Sequence, residues 1–188
     1  MNFLDNVTHA QRELIISLPY RVGHYISQSD TTGGEEATSR ELQALSNIIH
    51  GFADSMLGSE AIQYVMTETL AQKAKWQDWS KKMRSVPKDC KTAMDIMVAH
   101  LPEKDITAFQ NHLMEIGEAV AMAFKEVQEQ DHNPPAIKKI EAKLQEILKS
   151  LSSKTQKPKR HHLEAYANIS PNEREALQKV AVALGVNY

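Results

Sequence analysis

The chain has one cysteine, Cys90, among 188 residues, so it forms no internal disulfide, and a thiolate metal centre would need further thiols. Glycine and proline number only seven each, too few for a turn-rich all-β chain, and no period-two alternation is sustained anywhere. No apolar run approaches the roughly 18 residues that a spanning helix needs, so no membrane span is expected. Neither sign of charge dominates: 22 basic residues face 24 acidic ones, for a formal charge of −2. That balance argues against a dedicated nucleic-acid binder. The opening "MNFLDNVTHAQRELIISLPYRV" lacks a basic stretch followed by a long apolar core, and a cytoplasmic location is the expectation.

What is present is apolar residues at steps of three and four. The fold class expected is all-α, a bundle of about seven helices in one domain over 1–188. A first helix is expected from about Asn6 to Gln28, with Leu14, Leu18, Val22, Tyr25 and Ile26 towards the core. Pro19 lies inside it, removes one donor and crowds the preceding turn, which predicts a kink or break. The second helix follows Gly33-Gly34 and carries Leu42, Leu45, Ile48, Ile49 and Phe52 on one face. Thr38 and Glu41 make a capping-box pattern, with a start nearer Glu35 as the alternative.

Gly58 and Ser59 break and cap the chain before a third helix with Trp76 and Trp79 near its end. A fourth begins near Pro87 and a fifth has Pro102 in its first turn. A sixth follows Asn133-Pro134-Pro135, with Ile137, Ile140, Leu144, Ile147, Leu148 and Leu151 as one apolar stripe. A basic linker, "KTQKPKRHH" (154–162), leads to a seventh helix with the capping box Ser170 to Glu173, the core face Leu177, Val180, Ala181 and Leu184, and Gly185 as its end. "VGHYISQSD" (22–30) overlays "IGEAVAMAF" (116–124), each followed later by a helix with "LQAL" (42–45) or "LQKV" (177–180). The overlay predicts that Gly23 and Gly117 mark close helix approaches.

Three stretches, "LPYRVGHYISQSDTTGGEE", "LPEKDITAFQNHLMEIGEAVAMA" and "ISPNEREALQKVAVALGV", resemble the tellurite-resistance TerB-like family over about a third of the chain. The resemblance implies a helical domain with a pseudo-repeat and an association with metal-ion and stress responses. It is carried by pattern and spacing. In the first loop Asp30 matches the family's aspartate, and Glu35 and Glu36 match its two adjacent acids, while Thr31 stands where a glycine is frequent. In the second half Phe124 falls at the position of the second aspartate, and some 40 residues are inserted. The insertion, 127–165, holds the sixth helix and the basic linker.

Three carboxylates within seven residues on a glycine-flexed turn can converge on one hard cation, calcium in preference, with carbonyls and water completing its shell. The spacing is not that of an EF-hand. The alternative is that Asp30, Glu35 and Glu36 serve only to start the second helix, since acids favour the positive end of a helix dipole.

Other constellations point elsewhere. A di-iron bundle needs two Glu-x-x-His motifs, and the chain has one, Glu129 to His132, with His112 and Glu115 as an inverted pair. His161 and His162 read as a solvated turn. No P-loop, dinucleotide fingerprint, H-E-x-x-H or G-x-S-x-G occurs, so the expectation is no enzyme and no small-molecule substrate. Trp76 and Trp79, beside Lys73, Lys75, Lys81 and Lys82, read as core anchors or as an exposed partner patch. Cys90 reads as a small core hydrophobe. A protein partner or self-association is expected through the inserted helix at 134–151, since its stripe must pack on the domain or on a second copy.

Overall fold

A computed structural model describes residues 3–29, 35–54, 59–129 and 169–188, without side chains at 35–42 and 123–129. The chain starts with a 3-10 turn, Phe3–Asp5, whose Phe3 and Leu4 are buried. Seven α-helical segments follow among the described residues: α1 His9–Ser27, α2 Glu35–Asp54, α3 Glu60–Ala71, α4 Trp76–Trp79, α5 Val86–Val98, α6 Glu103–Glu129 and α7 Pro171–Leu184. No strand occurs among these residues. Nor is any helix among them long and apolar enough to cross a membrane.

The helix starts have local chemical causes. Thr8 caps α1 through a box with Gln11, each side chain taking the other's backbone N–H, so the helix begins at His9 rather than at Asn6. Ser59 accepts from the Ile62 N–H at 3.3 Å and opens α3 as expected. The expected box at Ser170 and Glu173 opens α7, with Pro171 at its first position. At the far end Gly185 takes φ of 77°, while Val186 N–H reaches Ala181 and Gly185 N–H reaches Val182. That pair of bonds satisfies the last carbonyls of the helix. The expected face of Leu177, Val180, Ala181 and Leu184 is buried.

Helix α2 starts at Glu35, directly after the glycine pair and at the alternative boundary, so Thr38 sits inside it. The third helix differs from expectation, ending at Ala71 instead of continuing to the two tryptophans. A 3-10 turn at Lys73–Lys75, the single turn α4 and a second 3-10 stretch at Ser80–Ser85 carry the chain to α5.

Helix α1 is the centre of the bundle, packed by α2, α3, α5, α6 and α7. It stays one continuous helix through Pro19, with no break. Leu18, Val22 and Ile26 are buried as expected, whereas Leu14 and Tyr25 are only half-buried. Ile15, Ile16, Tyr20, Arg21 and His24 are buried as well, so the helix has no solvent face along most of its length. An amphipathic stripe describes a helix with one wet side, and α1 has none. Thr69 Oγ1 ties α3 to it by donating to the Ile16 carbonyl at 2.7 Å. The face Leu45, Ile48, Ile49 and Phe52 of α2 is buried on it and on α6.

The crossing of α1 and α6 is reciprocal. Gly23 faces Ile116 and Val120, the residues one before and three after Gly117. Gly117 in turn faces Val22 and Ile26, the residues one before and three after Gly23. Each glycine is covered by a leucine of a further helix, Leu45 of α2 over Gly23 and Leu177 of α7 over Gly117. The neighbours of the two glycines in the overlay are thus reciprocal, with the covering leucines three positions apart in the "LQAL" and "LQKV" frames.

A β-carbon on Gly23 would overlap Leu45 Cδ1. Gly23→Ala gains about 1 kcal/mol of helix propensity and loses more to overpacking, for a net loss of about 1–3 kcal/mol. Urea unfolding reads this. The double variant Gly23→Ala/Leu45→Val, which removes the obstructing methyl, is expected to be no less stable than Gly23→Ala alone.

Candidate functional site

The acidic stretch, residues 30–36, joins the end of α1 to the start of α2. Beyond Ser27, Gln28 N–H donates to the His24 carbonyl at 3.0 Å, and Ser29 donates to the Ile26 carbonyl through N–H at 3.1 Å and Oγ at 2.6 Å. Asp30 lies outside the described residues. Glu35 and Glu36 are the first two residues of α2, and their side chains lie outside the description too. What is placed is the frame: the end of α1 and the start of α2, held to each other where Leu45 covers Gly23.

The second half has no matching loop. Positions 124–128 correspond to 30–34 in the glycine overlay, and α6 runs through them to Glu129 as continuous helix. Among the described residues, no group of three or more His, Cys, Asp or Glu side chains is placed to hold a metal ion. His112 is a core residue with its ring edge-on to Phe52, its Nδ1 2.5 Å from the Ala108 carbonyl. His132, His161, His162 and the helix expected at 134–151 lie outside the described residues.

Sequence reasoning did not find the polar cluster built around α1. Arg21 is 2% exposed, and its Nη2 reaches the Lys82 carbonyl at 2.6 Å, Ser85 Oγ at 3.0 Å and Asp89 Oδ2 at 2.5 Å. Ser85 Oγ also lies 2.7 Å from Asp89 Oδ2. One guanidinium thereby fixes the 3-10 stretch and the first turn of α5 against the central helix. A buried arginine tolerates this because its charge is met by a carboxylate and its donors by oxygens. Arg21 Nε is the exception, a buried donor with no partner. Cys90 lies beside the pair, fully buried, and desolvation pushes its thiol up to about 12, which keeps it protonated and inert.

At the neighbouring position of α1, Tyr20 stacks on Trp76 with ring centroids 4.6 Å apart and on His24 at 5.6 Å. Trp76 Nε1 donates to the Thr69 carbonyl at 3.0 Å. Trp76 and Trp79 are both buried, which settles them as core anchors and removes them as an exposed partner patch. Burial raises the Tyr20 hydroxyl to about 12 and lowers His24, whose Nδ1 has no partner. The signal available for this cluster was weak: Tyr20, Arg21 and His24 lie off the apolar stripe read for the helix.

No family model matches the chain, and no curated protein or solved structure matches it significantly.

Two measurements follow from the buried groups. Arg21→Met strands the Asp89 carboxylate and is expected to cost about 2–4 kcal/mol, below the full figure for a buried pair because Asp89 keeps some water. Arg21→Met/Asp89→Leu recovers most of that loss in the same denaturation series. For His24 the folded value lies below the ordinary 6.5, so the unfolded chain takes up the proton first. Stability is therefore full above pH 6.5 and falls as pH drops through the folded value, by up to about 1.4 kcal/mol per pH unit. His24→Phe, which keeps the stack on Tyr20, is expected to flatten that part of the melting-temperature profile.

Proposed function

We propose that the chain is a non-enzymatic, TerB-like module of the tellurite-resistance type, acting in the cytoplasm, that holds a divalent cation through Asp30, Glu35 and Glu36. The observation that supports this reading is the reciprocal crossing at Gly23 and Gly117, which fits the pseudo-repeat that the sequence resemblance implies. The start of α2 at Glu35 adds to it, because both acids then stand where the loop meets the helix.

The donor set is all oxygen, which suits calcium better than a thiophilic metal. A cation at a helix N-terminus works against the dipole, and two carboxylates in that first turn offset the opposition. The ion in turn relieves the repulsion between the adjacent acids. Residues 134–151 supply the contact with a protein partner or a second copy in this reading, through their apolar stripe.

Calorimetric titration of calcium into the wild-type chain and into Asp30→Ala tests the cation site. The expected result is a dissociation constant of about 10⁻⁵–10⁻³ M for the wild type, with binding lost in the variant. No heat and no change in melting temperature would reduce the three acids to helix-start chemistry.

A further inference from the structure

Charge along this chain is segregated into blocks. Residues 1–72 hold three basic and nine acidic residues, net −6, and residues 92–131 hold two and eight, again −6. Between them, 73–91 holds seven basic residues and two acidic ones, net +5. That block coincides with the stretch where the expected long helix breaks into the two 3-10 turns, α4 and the start of α5.

The fold sorts the block by depth. Trp76, Trp79 and Met83 turn inward, and all seven basic side chains are exposed. Arg21 consumes Asp89 from beneath, so that carboxylate does little to offset the surface charge. Lys81 pairs with Asp78 at 2.6 Å, and Lys91 lies 3.4 Å from Asp95. Lys75, Lys82, Arg84 and Lys88 form no ion pair or side-chain hydrogen bond with any described residue. The platform under them is fixed, because the Lys82 carbonyl, Ser85 and Asp89 are all held by one buried guanidinium.

We infer that this corner is a docking surface for an acidic polypeptide segment. Its chemistry narrows the occupant. With both tryptophans buried it offers no aromatic platform for single-stranded bases and no apolar wedge for a lipid interface. Six of the seven cations are lysines, flexible point charges rather than the planar forks that read bases or grip phosphate bidentately. A single extended chain of carboxylates presents point charges that flexible lysines can meet one by one, an attraction screened over about 8 Å at physiological salt. Residues 130–168, with eight basic and four acidic residues, have the wrong sign to cover the corner themselves.

The probe is poly-L-glutamate, titrated into the full chain by fluorescence anisotropy beside a 20-base-pair duplex and phosphatidylserine vesicles. Poly-glutamate is expected to bind at low salt and to weaken by about tenfold or more between about 50 and 200 mM salt. Lys75→Glu/Lys88→Glu is expected to lower that affinity by about tenfold. Lys104→Glu/Lys179→Glu, with the same change in net charge outside residues 73–91, is expected to lower it less than about threefold. All four side chains are exposed, and unchanged circular dichroism confirms that both variants fold. Four results would each overturn the inference: no binding at low salt, equal losses in the two variants, tighter retention of duplex or vesicle, or salt-sensitive self-association abolished by the corner variant, which would make a second copy the occupant.

Discussion

The close approach of α1 and α6 at Gly23 and Gly117 is the constraint on which the rest of the bundle depends. With a β-carbon absent from each glycine, the branched side chains of one helix lie against the backbone of the other, and Leu45 and Leu177 close over the gaps. Those leucines are what seat α2 and α7. A β-carbon at Gly23 would displace Leu45 and crowd Ile116 and Val120, whereas one at Gly117 would press on Leu177 alone, because interiors at crystal-like density transmit a change of one methyl. The arrangement also accounts for the burial of α1, which holds the centre while the other six helical segments pack against it.

Such a central helix poses a problem that its sequence answers with polar groups. It carries Arg21 and His24 into the interior, and each is handled differently. Arg21 keeps its charge and gathers three oxygens from the segment after α4. His24 is held towards neutrality by burial and packs as an aromatic on Tyr20. The first device gives a fixed mechanical tie. The second makes stability depend on pH in the range where imidazole titrates.

Much of this was legible in the residues. The helix caps at Ser59 and Ser170, the faces of α2 and α7, the end at Gly185 and the glycine overlay rest on local chemistry or on simple spacing, and the structure has them where the sequence predicts. The breakdown after Ala71 was not legible, because "AQKAKW" has good helix formers and the tertiary pull of Trp76 towards Tyr20 overrides them. The burial of Arg21 was hidden for a related reason: a charged residue off the apolar stripe reads as solvated until its partner, 68 positions later, is known. Of the candidate cation site, the sequence supplies the donor residues and the structure supplies the two helix ends that frame them.

The two halves share the crossing but not its sequel. Helix α1 stops at Ser27, four residues past Gly23, whereas α6 continues twelve residues past Gly117 to Glu129. Eight further residues of helix add about 12 Å of axis. The chain thus leaves the first half close to the crossing and leaves the second half well outside it. Whatever follows Glu129 begins at the far end of this helix, and a change of length there leaves the glycine contact undisturbed. The second half is in this sense the permissive one, and the 41 residues between Glu129 and Pro171 leave the bundle where the helix has already carried the chain out of the way.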